Sequence, residues 1–408
     1  MLLSEYNDSN NKFMNILLFT QNCPKNFNEP VISGMVKNPF YLSLSLVSKG
    51  HEVTVITTGD EKESWDFKGV KIHSIGRGIL KGVVHAFFME MKMFLKFLKI
   101  RKGNDFGVIN VHHLNILPLL LLKKIGSVKV TIIYTAHGTS TPEMKASFKG
   151  FSFFNLLVYI NGYIQHFLDY ICYKVADKVV SVSMFQVEEL EGLYKVPRNK
   201  IEVIYNGVEG DMYFPNNESG NELRHDLGIS QKSKIILYVG RIARKKGIIF
   251  LIKNLKYLKK KIPGIRLILV MGNMGRQLDY KKEIIQYIKK ENLEKSIIVK
   301  ENVPEKMLPS YYNAADICVF PSTGYESIPT VIYEALACGK PVVTQGSWGI
   351  REALNEVLLS ENQIKSKELG AVISKVLNNE ISLQSDVANK FYWDELVNKY
   401  VRLYEDRY

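Results

Sequence analysis

The chain has 408 residues, of which 46% are hydrophobic and 23% are charged, so it is long enough for two ordinary hydrophobic cores. Its formal net charge is +13, but the excess is spread over both halves, and no basic tail or block indicates a nucleic-acid-binding protein. An evenly basic enzyme that binds nucleotide diphosphates or anionic lipid accounts for the charge more simply.

Cysteine usage and the lack of long apolar runs narrow the class further. The four cysteines include no Cys-x2-Cys pair, which favours reduced core cysteines over disulfides or a metal site. Polar residues predominate in the first 12 positions, and no apolar run reaches the roughly 18 residues of a membrane span. We therefore expect a cytoplasmic protein, with peripheral contact to the cytoplasmic membrane face left open.

The first half of the chain alternates short apolar runs with helical patterns. A buried strand is predicted at 15–20, followed by a loop with Ser33 and Gly34 and a helix that ends near Ser48. Further strands are predicted at 52–57, 108–111, 130–134, 178–182 and 201–204. This alternation predicts a doubly wound domain.

The second half begins the same alternation again. Its strands are predicted at 234–239, 266–270, 296–299, 317–320 and 341–344. The turn-forming segment 206–208 follows the last strand of the first half, so we place a boundary and hinge there. The predicted fold class is α/β, with Rossmann-like domains at 1–208 and 209–385 facing across a cleft and a last helix within 386–408.

Two glutamates lie eight residues apart in the segment Glu326-Ser-Ile-Pro-Thr-Val-Ile-Tyr-Glu334. An apolar run ends at Phe320, so Glu326 is expected in a loop at the carboxyl edge of a sheet. From Thr330 the sequence favours a helix, whose free amides then lie beside Glu326. A hydroxyl-binding carboxylate next to an anion-binding helix N-terminus predicts a site for an activated sugar.

A second motif, Gly240-Arg-Ile-Ala-Arg-Lys-Lys246-Gly247, directly follows a predicted strand. Fixed cations beside a pyrophosphate stabilise the charge that grows as a glycosidic bond breaks. Arg241 offers a planar fork and Lys246 a compact charge, which suits them to this task. The alternative interpretation of such a cluster is a solvated basic turn.

Taken together, the two motifs resemble those of the retaining GT-B glycosyltransferases, family 4 in particular. The Glu-x7-Glu and Gly-Arg-x4-Lys-Gly spacings both match, and the resemblance runs over nearly the whole chain. It implies the GT-B architecture and transfer of a sugar from a nucleotide diphosphate donor to an acceptor hydroxyl with retention. The segment 327–329 reads Ser-Ile-Pro where many members have Gly-Phe-Gly, a departure that bears on the donor sugar.

The resemblance also implies roles for individual residues. Glu326, which holds hydroxyls of the donor sugar, and His137, which faces the transferred sugar, are the expected catalytic residues. The expected donor-binding residues are Gly34, Gly240, Arg241, Lys246, Pro329, Thr330 and Glu334. Among these, Glu334 is assigned to the nucleotide ribose and the two cations to the diphosphate. No cofactor is expected. No metal is expected either, because the cations of Arg241 and Lys246 take its place at the diphosphate.

Some of these assignments have competing interpretations. His137 also fits a structural role, and His112 and His113 follow another strand and compete with it for a place in the site. Gly34 suits a structural turn as well as a donor loop, because a residue without Cβ serves both. Its position in the family favours the donor loop.

Two segments of the first domain bear on the acceptor. Residues 79–100 combine apolar side chains with lysines in an amphipathic pattern, and residues 145–173 carry many aromatics among basic residues. The patterns fit contact with a membrane or lipid-linked acceptor, and they fit core-facing helices with a solvated basic edge equally well. The expected partners are a nucleotide-diphosphate sugar and an acceptor in cell-surface or lipid-linked glycan synthesis.

Two other functions are compatible with the fold. One is a GT-B nucleotide-sugar epimerase or sugar phosphorylase. The glutamate pair argues against it, and so do Arg241 and Lys246, which we call the basic clamp. The other is a non-catalytic subunit that binds sugar nucleotides, which the intact Glu326, Arg241 and Lys246 make less fitting.

Overall fold

A computed structural model of the protein describes residues 13–30, 33–76, 83–112, 117–127, 129–138, 153–272, 278–324, 326–344, 349–353, 368–381 and 389–406. Two sheets organise these residues, and helices cover both faces of each sheet. Because both faces are buried, most strands are continuous apolar runs. The structure confirms the predicted α/β class with two parallel-sheet domains.

The first sheet has eight strands in the order β3-β4-β2-β1-β5-β6-β7-β8. Its strands are β1 (Asn15–Gln21), β2 (Glu52–Thr58), β3 (Lys62–Phe67), β4 (Val70–Ile75), β5 (Val108–His112), β6 (Thr131–Ala136), β7 (Lys178–Ser181) and β8 (Ile201–Val203). The described helices of this domain are α1 (Gly34–Ser48), α2 (Val83–Arg101), α3 (Leu117–Lys124), α4 (Phe153–Val175) and α5 (Met184–Gly192). Helix α1 covers one face, and α2 to α5 cover the other.

The hairpin of β3 and β4 was not predicted from the sequence. Strand β3 is antiparallel to β4 at the sheet edge, whereas every other pairing in this sheet is parallel. Lys68 and Gly69 form the turn, with φ values of 50° and 84°. Two consecutive positive φ values are typical of the tight turns that match the twist of a hairpin.

The second sheet has five parallel strands in the order β11-β10-β9-β12-β13. Its strands are β9 (Ile235–Arg241), β10 (Arg266–Gly272), β11 (Ile297–Glu301), β12 (Ile317–Phe320) and β13 (Val342–Thr344). The described helices are α6 (Asn217–Asp226), α7 (Ile248–Lys261), α8 (Leu278–Lys290), α9 (Leu308–Ala314), α10 (Thr330–Ala337), α11 (Gly349–Ala353) and α12 (Leu369–Leu377). All the strands predicted from apolar runs are present in the two sheets.

The chain passes between the two sheets twice, and the two passages are joined. A last helix, α13 (Trp393–Glu405), packs against α1 and the core of the first domain. The N–H of Val208 donates to the carbonyl oxygen of Phe391 at 2.9 Å, and the N–H of Trp393 donates to that of Val208 at 3.1 Å. A Cβ at Gly207 would lie 2.8 Å from the Trp393 ring, so glycine permits this close approach.

Glu209 follows this junction and makes the stability of the protein depend on pH. Burial, with smaller contributions from Asp394 and Asp211, raises the pKa of the Glu209 carboxyl to about 7. An acid whose pKa is raised on folding destabilises the protein as pH rises, and the whole penalty is present above the folded pKa. At about pH 8 we expect Glu209→Gln to raise the free energy of unfolding by on the order of 1–2 kcal/mol. Urea unfolding measures the change, as a higher midpoint for the variant than for the wild type. The difference should vanish at about pH 4.5, and a gain that is independent of pH would contradict the assignment.

Candidate functional site

The loops after β9 and β12 lie side by side, because these two strands are neighbours in the second sheet. Gly247 has a φ of 72°, and a Cβ there would lie 2.1 Å from the carbonyl oxygen of Pro321. The N–H of Thr323 donates to the carbonyl oxygen of Lys245 at 2.8 Å. The turn after β9 is therefore locked against the loop after β12 at the carboxyl edge of the sheet, where open α/β sheets bind ligands.

This packing brings Lys246 and Glu326 together, although they are far apart in sequence. Lys246 Nζ lies 2.7 Å from Glu326 Oε1, and the two side chains are only 12% and 11% exposed. Burial lowers the pKa of the Lys246 amine, while the Glu326 charge raises it. Arg241 ends β9 and adds positive charge close to this amine. The arrangement is a nearly buried cation and carboxylate at a sheet edge, suited to a phosphate and a hydroxyl.

Two helix N-termini, one from each domain, meet at the end of the segment that carries Glu326. Gly34 is the first residue of α1, and a Cβ there would lie 3.3 Å from Cγ2 of Thr330, the first residue of α10. Pro329 precedes α10 and sets its first turn. Asn206 joins the two sides, because its Nδ2 donates to the carbonyl oxygen of Ile328 at 3.2 Å. The free amides of both helices favour anionic groups in the space between them.

Gly240 lies one residue before Arg241 in β9. A Cβ there would lie 2.7 Å from the hydroxyl oxygen of Tyr238, which donates to the Arg241 carbonyl oxygen at 3.2 Å. Glycine therefore allows the strand end to be held by this tyrosine, directly before the arginine of the clamp.

His137 lies just past β6 and reaches the second domain through its backbone. Its carbonyl oxygen accepts a hydrogen bond from Ser327 Oγ at 3.1 Å, next to Glu326. Its Nε2 lies 3.0 Å from Nδ1 of His112, and the two rings stack. Burial lowers the pKa of His112 to about 3, so that ring stays neutral. His113 lies outside the described residues.

Glu334 occupies a buried cluster between α1 and α10. Lys37 Nζ lies 2.7 Å from Glu334 Oε1 and 2.8 Å from Glu305 Oε1. The Tyr312 hydroxyl donates to Glu334 Oε2 at 2.8 Å, and the Tyr213 hydroxyl donates to Glu305 Oε1 at 2.7 Å. Both oxygens of Glu334 thus have partners in the protein, and its assignment to the ribose stays a prediction.

Burial opposes the charge on Lys37, but the two carboxylates together outweigh it and raise the pKa of the amine. Burial also raises the pKa of Glu305, although Lys37 acts in the opposite direction. Lys37 therefore stays charged, and it ties α1 of the first domain to the second.

Comparisons with known families agree with this geometry. The sequence profile described as Glycosyltransferase Family 4 matches residues 32–211, and the one described as Glycosyl transferases group 1 matches residues 220–391. Between them the two profiles span both domains. The chain belongs to the family 4 glycosyltransferases.

Several relatives of this glycosyltransferase extend over most of its length. An uncharacterised glycosyltransferase of Methanocaldococcus jannaschii is 26% identical over 403 residues, covering 92% of this chain and 95% of that protein. The mannosylfructose-phosphate synthase of Agrobacterium fabrum is 26% identical over 331 residues, covering 76% of this chain and 70% of that protein.

Solved structures show that the glycosyltransferase has the predicted GT-B fold. Sucrose-phosphate synthase from Thermosynechococcus elongatus superposes with a TM-score of 0.75 at 18% identity, covering 96% of this chain and 98% of that one. The HepE protein of Anabaena in complex with UDP-glucose superposes with a TM-score of 0.65 at 19% identity, covering 97% and 98%.

Several residues of this glycosyltransferase's cleft were missed from the sequence, because their partners lie far along the chain. Lys37 and Glu305 are two of them. Glu352 in α11 accepts hydrogen bonds at its Oε1 from the Met184 N–H at 2.6 Å and from the Tyr205 hydroxyl at 2.7 Å. A glutamate that caps α5 of the other domain has no local sequence signal, because capping motifs are recognised only within one helix.

Gly349 was also missed, and it gives a testable prediction for the glycosyltransferase. Its N–H donates to the Glu326 carbonyl oxygen at 3.2 Å, and a Cβ there would lie 1.3 Å from the Ser327 carbonyl oxygen. Gly349→Ala must displace the loop that carries Glu326, and we expect a loss of about 10- to 100-fold in kcat/KM. Gly103→Ala is the control, because a Cβ at that position would meet no described atom within 4 Å. Equal activity of the two variants would show that the loop tolerates displacement.

Proposed function

We propose that this glycosyltransferase moves a sugar from a nucleotide diphosphate donor to an acceptor hydroxyl with retention of anomeric configuration. The ion pair of Lys246 and Glu326 is the observation that carries the proposal. Lys246 leaves Glu326 for the diphosphate when donor binds, with Arg241 beside it. Glu326 is then released to accept hydrogen bonds from hydroxyls of the donor sugar.

The other predicted residues complete this arrangement. Gly34, Pro329 and Thr330 lie where the amides of α1 and α10 meet, so we assign them to the donor phosphates. His137, at the carboxyl edge of the first sheet, faces the transferred sugar from the acceptor side. Glu334 is assigned to the ribose, which requires one of its present hydrogen bonds to be exchanged.

For the chemical step we propose same-face substitution, because no residue of the clamp is an evident covalent nucleophile. The bond between the anomeric carbon and the donor phosphate oxygen breaks as the acceptor oxygen bonds to the same face of that carbon. The acceptor proton passes to the departing phosphate oxygen. Arg241 and Lys246 stabilise the charge on the diphosphate, so we propose that the reaction needs no metal.

The comparisons support a choice of donor and acceptor to test first. The Anabaena HepE structures were determined with UDP and with UDP-glucose, which makes UDP-sugars the first donors to try. A lipopolysaccharide 1,2-N-acetylglucosaminetransferase of Salmonella typhimurium is 24% identical over 239 residues, 55% of this chain and 60% of that protein. It supports a role in cell-surface or lipid-linked glycan synthesis.

Thermal-shift screening against UDP-, GDP- and ADP-sugars, combined with donor hydrolysis, tests the proposal. We expect one donor to stabilise the protein against thermal unfolding and to be hydrolysed slowly. In the glycoside product, NMR should show the same anomeric configuration as in the donor. A product of inverted configuration would contradict retention. Conversion of one nucleotide sugar into another would indicate an epimerase. Formation of a sugar 1-phosphate from inorganic phosphate would indicate a phosphorylase, and donor binding without turnover would indicate a non-catalytic subunit. Full activity after dialysis against a chelator is the expected result for a metal-independent enzyme.

A further inference from the structure

Helices α2, α3 and α4 form one outer surface of the first domain. All three pack into the same core on one face of the first sheet, and α3 contacts both α2 and α4. In the chain they follow β4, β5 and β6, which run in the same direction in that sheet. The outward residues that define this outer helical surface are Phe88, Lys92, Leu95, Lys99, Leu121, Lys124, Ile125, Ile160, Ile164 and Phe167.

Helix α4 is apolar on the side away from the core as well as on the side facing it. Ile160, Ile164 and Phe167 recur at helical spacing and are 47%, 41% and 60% exposed. On the inner side, Cys172 and Tyr173 are fully buried in the core. A surface helix ordinarily has one apolar stripe and an opposite polar face, so an outer apolar stripe marks an interaction surface.

The neighbouring helices place lysines among exposed apolar residues. On α2, Leu95 lies between Lys92 and Lys99 at helical spacing, and on α3, Lys124 lies beside Ile125. The only acidic residues in the three helices are Glu90 and Asp169, and Asp169 is buried. The outer helical surface is therefore apolar and cationic, with almost no negative charge to oppose an anionic partner.

We propose that the outer helical surface binds the headgroup region of an anionic phospholipid bilayer. The apolar residues of α4 enter the boundary between headgroups and acyl chains, and the lysines of α2 and α3 contact lipid phosphates. The charge pattern favours lipid over a second copy of this chain, because like charges would face each other in a symmetric contact. In the described residues no helix is long and apolar enough to cross the bilayer.

Co-sedimentation with vesicles tests this proposal without any donor or acceptor, so its failure is distinguishable from failure of the proposed function. The wild type is expected to bind vesicles of phosphatidylcholine and phosphatidylglycerol, and to bind pure phosphatidylcholine at least about tenfold more weakly. Ile164→Ser/Phe167→Ser and Lys92→Glu/Lys99→Glu should each reduce binding to the anionic vesicles by about tenfold or more.

Matched variants on the second domain separate this surface from general effects. Leu278 is an exposed leucine of α8, and Lys259 and Lys260 are exposed lysines of α7. Leu278→Ser and Lys259→Glu/Lys260→Glu should bind vesicles like the wild type, and thermal unfolding checks that all variants are folded. Absence of wild-type binding, or equal losses in the matched variants, would overturn the proposal. So would a dimer in light scattering that Ile164→Ser/Phe167→Ser dissociates, because the surface would then be an interface between copies.

Discussion

Lys246→Ala is expected to lower kcat/KM for the donor by about 100- to 1,000-fold, the loss typical when one group that stabilises developing charge is removed. Lys246 is held 2.7 Å from Glu326 in a nearly buried pair, at the strand end that also carries Arg241. The substitution removes a cation from the site proposed for the diphosphate and leaves the Glu326 carboxylate without the Lys246 amine. Because the lost interaction strengthens as the leaving group departs, kcat should fall along with kcat/KM.

Steady-state kinetics with the donor found by screening measure this effect. Lys260→Ala removes an exposed lysine from α7, which follows the same turn, and should leave both constants unchanged. Lys246→Arg keeps the charge but changes its shape, so it should recover part of the lost activity. An unchanged kcat/KM in a folded Lys246→Ala protein would show that Lys246 and Glu326 form only a structural ion pair.

Lys37→Met is expected to lower the free energy of unfolding by about 3–5 kcal/mol, because removing one partner of a buried ion pair leaves an uncompensated charge. Lys37 is the cation between Glu305 and Glu334, and all three side chains are buried. Methionine has a similar length and fills the space, so the loss reports the charge rather than a cavity. Urea unfolding followed by circular dichroism measures it.

The pH dependence of this loss distinguishes charge from packing. Burial raises the pKa of Glu305, and Lys37 is the main influence that lowers it. Without Lys37 the Glu305 carboxyl should have a higher pKa in the folded state. The loss in free energy of unfolding is therefore largest above that pKa and decreases towards about pH 4.5. The double variant Lys37→Met/Glu305→Gln should be more stable than the sum of the single losses predicts. A loss that is additive and independent of pH would mean that the cluster acts through packing alone.

The fold and the clamp were predictable because their signals are local. The strands buried on both faces are short apolar runs, and Lys246 and Glu326 each lie in the loop that follows one of them. Once both residues are placed at the carboxyl edge of one sheet, their proximity follows from the order of its strands. The β3–β4 hairpin was missed because β3 alternates half-buried and exposed positions at the sheet edge, with charged residues among them.

The remainder of the cleft depends on contacts between domains. Lys37 and Glu334 are separated by 297 positions, and Gly349 matters only because the loop after β12 lies against it. Neither feature leaves a periodic or compositional trace near the residue itself. The two glutamates belong to one sequence motif, but they have different partners in the structure. Glu326 pairs with Lys246, and Glu334 is buried beside Lys37.

The paired passage of the chain at Val208 and Tyr392 constrains how the two domains can move. Two parallel backbone segments join the domains at this point, held together by the hydrogen bonds between Val208 and Phe391 and between Trp393 and Val208, and they constrain the domains more than a single linker would. We expect any opening of the cleft to bend the chain about this pair of segments. Bending about one line returns the two domains to the same alignment at each closure, which shortens the search for a productive arrangement of the groups on either side.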